Sequence, residues 1–283
     1  MIPDGLMWNE AEIKPGDPLY AGFVCLLVIK DDLQPELIGT AFIVKADGNR
    51  ATAFSAAHNF DYIKRVLHPH PNHNASALPE FLPPPKEIDI KQVKGMYLKG
   101  DKVADCTIEI AIWDSATDLA VLTIIAPENE PDLFCDAFWI DNQIPDVDEH
   151  VVMIGFGEMK VVPDTKQSNS GLIQHRLIQR LGRVEGIYPD GYLLLKTPCV
   201  KTSISIFSGM SGGMVARWSE NSTQIMPFAI ISYAPEPQPS YNRAESGQSV
   251  GSLLNVALTS VAENTQRCEI KVNHIGVGRI HNV

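Results

Sequence analysis

Three short segments hold side chains that, brought together, would perform nucleophilic acyl transfer. They are Phe54-Ser-Ala-Ala-His58-Asn59, Asp114-Ser-Ala-Thr-Asp118-Leu-Ala-Val-Leu122 and Ser208-Gly-Met-Ser211-Gly-Gly213. A serine hydroxyl is a weak nucleophile until a base takes its proton. His58 suits that task, because imidazole titrates near neutrality. A buried Asp118 would hold the imidazole tautomer and stabilise the imidazolium, and Asp114 is the rival carboxylate. Glycines around Ser211 let the backbone turn so that the N–H groups of Gly209 and Ser211 face one point, two donors for a tetrahedral oxyanion. Taken singly, each segment also has a plain reading. A histidine near a strand end can be structural, an aspartate before a strand can be a turn residue, and Gly-Met-Ser-Gly-Gly can be a flexible turn.

The elements that must position these residues read as strands. Phe23 to Ile29 is an apolar run of buried-strand length. Leu37 to Lys45 and Arg50 to Ala57 flank an Asp47-Gly48 turn signal and read as a hairpin. Cys106 to Trp113 alternates through Ile108, Ile110 and Ile112, and Asp118 to Ile124 follows closely. Later candidates are His150 to Phe156, Tyr192 to Thr197, Gly213 to Trp218, Met226 to Tyr233 and Ser249 to Leu254. Many short strands with few convincing helices imply an all-β sandwich or a pair of barrels. The main helix candidate is Asn255 to Thr265, with Asn255 as its cap. Prolines make His68 to Pro85 a long loop. Pro163 to Ser170 and Pro235 to Gly247 read as two more, and Pro127 to Pro131 as a linker.

At 283 residues the chain has room for about two domains of roughly 150 residues, or one large all-β unit. Its hydrophobic content of 45% supplies a core and excludes global disorder. A net charge of −11 disfavours a nucleic-acid backbone as partner. Cys25, Cys106, Cys135, Cys199 and Cys268 are scattered with no CxxC pair, which excludes a zinc ribbon or a thioredoxin-type site. His68, His70 and His73 lie close together, but Pro69 and Pro71 hold that stretch extended, so a solvated loop is favoured over a metal site. The start shows no basic, apolar signal pattern, and the run Ala21 to Ile29 is too short to span a membrane. The expectation is therefore a cytoplasmic protein without membrane partner, metal or cofactor.

Ala56-Ala-His58, Asp118-Leu-Ala-Val-Leu122 and Gly209-Met-Ser211-Gly-Gly213, in that order, resemble the signature segments of trypsin/chymotrypsin-like serine proteases. The Asp114-Ser-Ala-Thr-Asp118 form is most similar to the bacterial HtrA-type branch, though no PDZ module follows. The resemblance covers about residues 22–261. It implies two six-stranded antiparallel β-barrels with the site in the cleft between them. Residues 20–126 would form the barrel carrying His58 and Asp118, residues 132–262 the barrel carrying Ser211, and residues 263–283 a tail. It also implies that Asp118 rather than Asp114 pairs with His58.

Further roles follow from the resemblance alone. Ile231-Ser232-Tyr233-Ala234 is similar to the family's substrate-pairing strand, where backbone meets an extended peptide. Ser232 would also bond Asp118. Ser205, six positions before Ser211, takes the place of the primary-pocket residue, and Gly251 would line the same pocket. An uncharged pocket base implies cleavage after an uncharged, apolar residue. The chain departs from the secreted members: Asn59 stands where they carry a cysteine, and no Ile-Val-Gly-Gly segment offers activation by a freed N-terminus. The oxyanion loop must then be preformed, or ordered by substrate or a regulatory protein partner. A disulfide-independent protease fits a reducing cytosol. Two rivals are a catalytically silent binding module and an esterase or lipase. The second needs Ser, Asp and His in that order, whereas only His274 and His281 and no aspartate follow Ser211.

Overall fold

The segment Phe23–Ile29 has no polar face because neither of its faces meets water. Val24, Leu26 and Val28 point into one apolar core, whereas Phe23, Cys25 and Leu27 point into another. This is the period-two alternation of a strand, with both sides occupied. The computed structural model describes residues 9–29, 35–61, 92–100, 102–163, 171–218, 225–233, 248–255 and 257–258.

In chain order the strands are β1 (Asn9–Ile13), β2 (Phe23–Ile29), β3 (Pro35–Asp47), β4 (Arg50–Ala56), β5 (Val93–Lys99), β6 (Lys102–Asp114) and β7 (Leu119–Ile125). Then follow β8 (His150–Pro163), β9 (Gly171–Tyr188), β10 (Cys199–Thr202), β11 (Met214–Arg217), β12 (Pro227–Tyr233) and β13 (Ser249–Leu253). The first six-stranded ring runs β2-β3-β4-β7-β6-β5 and closes on β2. The second runs β9-β10-β13-β12-β11-β8 and closes through β8 and β9, with β1 added along β9. All the pairings are antiparallel, so the fold is the expected pair of six-stranded antiparallel barrels. Closure pairs the strand edges that an open sheet would expose.

Each barrel fills its own interior. Leu26, Ile43, Tyr97, Ile108 and Leu122 pack inside the first, and Met153, Val200, Ile204, Met210, Val215 and Phe228 inside the second. A third cluster joins them: Phe23, Phe42, Phe54 and Leu119 from the first barrel meet Ile154, Phe156, Leu177, Met214 and Ile230 from the second. The connection from Ile125 to His150 has no regular strand. It is anchored by Phe138, whose N–H donates to the Ile43 carbonyl oxygen at 2.8 Å and whose ring packs against Phe23 and Phe42. At its far end Arg217 pairs with Asp141 and Glu149.

The β3–β4 hairpin forms where expected, with Asp47 opposite Arg50 and Gly48 at φ +59°. Tyr192 to Thr197 is not the expected strand. Its apolar run reverses on itself through mutual Tyr192–Leu195 backbone bonds, leaving Leu193 and Leu194 exposed. Strands β1, β5, β9 and β10 were not legible, because Lys, Arg, Gln, Glu and Gly break their apolar alternation. Residues 254–255 and 257–258 are helical, and the rest of the Asn255 to Thr265 helix candidate lies outside the described residues. So do the whole of the His68 to Pro85 and Pro235 to Gly247 loop candidates, the three histidines of the first, the Pro163 to Ser170 candidate beyond Pro163, Cys268 and the tail.

Cys25, Cys106 and Cys199 are buried thiols, with burial lifting Cys106 to about 12 and Cys199 to about 11, so they serve packing. Among the described residues no helix is long and apolar enough to cross a membrane. Phe42 is fully buried between the barrels and meets Phe54 and Phe138 edge-on. Phe42→Ala should cost about 3–5 kcal/mol in equilibrium urea unfolding, as aromatic-to-alanine cavities do.

Candidate functional site

Strand register brings His58 and Asp118 together. On the antiparallel β4–β7 pair, Ala56 lies opposite Leu119, so the next residues outward on the two strands continue side by side. The Ala57 N–H donates to the Asp118 carbonyl oxygen at 3.1 Å, and a helical turn over 57–61 begins there. The His58 N–H donates to Asp118 Oδ1 at 2.9 Å. His58 Nδ1 lies 3.0 and 2.9 Å from the two carboxylate oxygens. A carboxylate only accepts, so the ring proton sits on Nδ1 and Nε2 is left as the acting nitrogen. The imidazole is 42% exposed, which keeps Nε2 reachable, while Asp118 is 5% exposed.

Asp118 holds a left-handed φ of +53°, a conformation that aspartate tolerates better than most residues. The turn that imposes it belongs to Asp114. That carboxylate accepts from the Ala116 N–H at 3.0 Å and the Thr117 hydroxyl at 3.1 Å. The two aspartates thus divide the work: Asp114 builds the turn and Asp118 faces the imidazole. Burial opposes charging of His58, but the Asp118 charge and hydrogen bond, with Asp61 beyond, outweigh it and lift the imidazole above its ordinary value. A lifted folded-state value means that the pair adds most stability below the ordinary imidazole range. That contribution fades as pH rises through the lifted value.

Ser211 comes from the other barrel, on the turn that enters β11. Its hydroxyl donates to the Ser232 carbonyl oxygen at 3.4 Å, and the Ser232 hydroxyl donates to Asp118 Oδ2. Ser232 therefore joins the serine to the His58–Asp118 pair. Gly212, at φ +83°, has no room for a side chain: an added Cβ would fall 2.3 Å from the Thr40 carbonyl oxygen. Gly209 takes φ +96°. Among the described residues, neither the Gly209 N–H nor the Ser211 N–H is engaged by an internal acceptor. The Met210 N–H donates to the Phe207 carbonyl oxygen at 3.1 Å, and the fully buried Met210 side chain is anchored in the second barrel.

Two residues that sequence reasoning missed hold this loop from the first barrel. The Thr40 N–H donates to the Ser211 carbonyl oxygen at 2.9 Å, and its hydroxyl donates to the Gly209 carbonyl oxygen at 2.7 Å while accepting from the Phe156 N–H at 2.8 Å. Asn59 Nδ2 donates to the same Ser211 carbonyl oxygen at 3.1 Å and to Ser55 Oγ at 3.2 Å. Asn59 was visible as the residue after His58, but nothing in the sequence marked it as a support for Ser211. Nothing local marks Thr40.

The remaining expected residues are spread more widely. Tyr233 follows Ser232, and its hydroxyl donates to the Tyr192 carbonyl oxygen, pinning the 192–195 reversal. Ala234 lies outside the described residues. Ser205 is buried and receives the Arg180 guanidinium on both its carbonyl oxygen and its hydroxyl, so a cation stands beside the position expected to be uncharged. Gly251 pairs with Val200 and Ile231, and a Cβ there would meet Ile230 O, Val215 and Ala229. Gly251 thus packs closely against β11 and β12 of the second barrel. Among the described residues no group of three or more His, Cys, Asp or Glu gathers to hold a metal ion.

No protein-family model and no curated protein matches this chain. Among solved structures it is similar to Rv3671c from M. tuberculosis H37Rv, in an inactive mutant form. Identity is 13% and the TM-score 0.45, covering 90% of this chain and 98% of that one. The active form of the Rv3671c protease from M. tuberculosis gives 13% identity and a TM-score of 0.44, over 96% of this chain and 91% of that one. At that distance the functional reading rests on the site's own geometry.

Thr40→Val keeps the shape but strands the Phe156 N–H and the Gly209 carbonyl. It should cost about 1–3 kcal/mol in denaturant unfolding, the usual penalty for an unpaired buried polar group. Thr40→Ser, which keeps the hydroxyl, should recover most of that loss.

Proposed function

We propose that this chain is a serine endopeptidase working through an acyl-enzyme. The observation that carries the reading is that Ser232 takes the Ser211 hydroxyl on its carbonyl oxygen and gives its own hydroxyl to Asp118, the partner of His58, beside Gly209 and Ser211 N–H groups that no acceptor among the described residues engages. Ser211 Oγ attacks the carbonyl carbon of an extended peptide, and its proton passes to His58 Nε2. The oxyanion that forms takes the Gly209 and Ser211 N–H groups. Nε2 then protonates the departing amine, and the C–N bond breaks. Water attacks the ester with His58 again as base, and Ser211 leaves with its proton restored. Asp118 keeps Nδ1 protonated throughout.

The substrate is a peptide or protein laid along Ser232 and Tyr233, with an uncharged residue before the scissile bond at Ser205. The Asp114 to Leu122 motif keeps the HtrA-type pattern nearest in form. The esterase elbow fits poorly, since Ser211 leads into strand β11 of an antiparallel barrel and not into a helix.

One observation favours a second, latent reading. The resting Ser211 hydroxyl is directed at the Ser232 carbonyl, and the His58 ring bonds run to Asp118. Substrate-free sites often show such loose geometry. A regulatory protein partner that turned the hydroxyl toward Nε2 would have the same effect.

A fluorophosphonate probe should label wild type and not Ser211→Ala. Labelling of both would remove Ser211 from its assigned role, and labelling only with a partner present would favour latency. Asp118→Asn should lower kcat/KM by about 10⁴-fold. The neutral imidazole is the base and its pKa is lifted, so kcat/KM should fall on acidification with a midpoint above the ordinary value of 6.5. An acid limb below that value would contradict the assignment.

A further inference from the structure

Thr40 is fully buried on β3 and reaches into the other barrel through both its backbone and its side chain. Its hydroxyl carries a single proton. The Phe156 N–H can only donate, and it does so to this oxygen at 2.8 Å. The Gly209 carbonyl can only accept, so the hydroxyl proton goes there, at 2.7 Å. Neither bond can reverse its direction, and the orientation of the hydroxyl is fixed by its partners. On β8 the pairing with β11 ends at Ile154, opposite Met214, and Thr40 engages the Phe156 N–H two residues further on. One hydroxyl of the first barrel thus bridges β8 and the Ser211 turn of the second.

Peptide units are planar, so a bond at either end of one restrains the whole unit. The unit between Gly209 and Met210 is held at both ends. Its oxygen accepts from the Thr40 hydroxyl, and its N–H donates to the Phe207 carbonyl oxygen at 3.1 Å. The next unit is held at its oxygen, where Met210 accepts from the Gly213 N–H at 2.9 Å, and its other end is the Ser211 N–H. The unit between Ser211 and Gly212 is again held at both ends. Thr40 N–H and Asn59 donate to its oxygen, and the Gly212 N–H donates to the Ile231 carbonyl oxygen at 2.8 Å. The Gly209 N–H lies one unit upstream of the first of these. It is joined to that unit through a glycine at φ +96°, where the chain turns with little steric resistance. With the Gly209 carbonyl held, that N–H cannot swing away by letting the downstream unit turn with it.

We propose that Thr40 is a positioning residue for the oxyanion site: its hydroxyl holds the Gly209 carbonyl so that the Gly209 N–H stays beside the Ser211 N–H. This role rests on the peptidase reading, in which those two N–H groups receive the oxyanion. Thr40 is fully buried, so it acts through the backbone it holds and not on the substrate. The oxyanion forms only in the transition state, so losing this support lowers kcat and leaves KM in place. Beyond its strand pairing, and among the described residues, the Thr40 bonds run to Ser55, Phe156, Gly209 and Ser211 and none to His58 or Asp118. The ionisation of the imidazole is therefore independent of the Thr40 hydroxyl. Because the same hydroxyl spans the two barrels, the oxyanion site is complete only while the barrels are docked at β3 and β8.

Thr40→Val, Thr40→Ala and Thr40→Ser are compared with wild type by the second-order rate of fluorophosphonate labelling across pH, each held well below its thermal midpoint. The phosphoryl oxygen of the probe seeks the same two N–H groups as the oxyanion. Thr40→Val and Thr40→Ala should label at least about tenfold more slowly, approaching the cost of a lost oxyanion donor. Thr40→Ser, which keeps the hydroxyl, should label at the wild-type rate. The acid limb of the labelling profile should keep its midpoint in all three, because the His58–Asp118 pair is untouched. On any peptide that wild type cleaves, the fall should appear in kcat with KM unchanged. A merely structural residue would lower the thermal midpoint and leave the labelling rate of the folded protein as it was. That result in Thr40→Val or Thr40→Ala overturns the positioning role and leaves the peptidase reading standing, as does a loss shared equally by Thr40→Ser. Should neither Thr40→Val nor Thr40→Ala fold, Thr40→Cys, with its weaker thiol donor, is judged by the same criteria. Wild type that labels no faster than Ser211→Ala at any pH overturns both.

Discussion

The buried carboxylate of Asp118 is the constraint on which the site depends. An ionisable group held at 5% exposure must have its lone pairs occupied, or burial becomes costly. Asp118 accepts from the His58 ring, the His58 backbone and the Ser232 hydroxyl. The first two donors belong to the turn after β4 and the third to β12 of the other barrel. Satisfying one carboxylate therefore fixes the imidazole and also the relative placement of the two barrels at this point. The left-handed turn at Asp118 is tolerated because Asp114 and Thr117 brace it.

The same economy appears on the other side of the cleft. Ser211 is held through its carbonyl oxygen by Thr40 and Asn59 of the first barrel, leaving its hydroxyl and N–H uncommitted to those contacts. Gly209 and Gly212 supply backbone conformations that other residues rarely adopt, and that freedom has to be removed again to make a rigid site. The Thr40 hydroxyl removes it at Gly209, and Met210 does so by burying its side chain in the barrel core. The force in that anchoring is apolar burial. The aromatic and aliphatic layer from Phe23 to Ile230 keeps the two halves pressed together so that these short bonds persist.

Much of this was legible from local residue patterns. Period-two apolar runs located β2, β3, β4, β7 and β12, because strands that bury a face must alternate or be apolar throughout. The strands that escaped notice carry their polar residues for tertiary reasons. On β9, Arg180 has its partners on β1 and beside Ser205, so its presence breaks the apolar pattern without making the strand a surface one. Tyr192 to Thr197 failed in the opposite sense: an apolar run suggested burial, yet the chain turns there and leaves two leucines exposed.

The sequence by itself determined the chemistry on offer and the order in which it is strung: a histidine, two aspartates and a glycine-flanked serine, with strands to carry them. It could not choose between Asp114 and Asp118 without a resemblance, and the register of β4 against β7 makes that choice physically. It gave no sign of the roles of Thr40 or Arg180, nor of the tight packing around Gly251. The reason is the same in each case. Which side chain meets which across the two barrels depends on strand register and closure, and those are set by packing over the whole chain. No short segment contains that information.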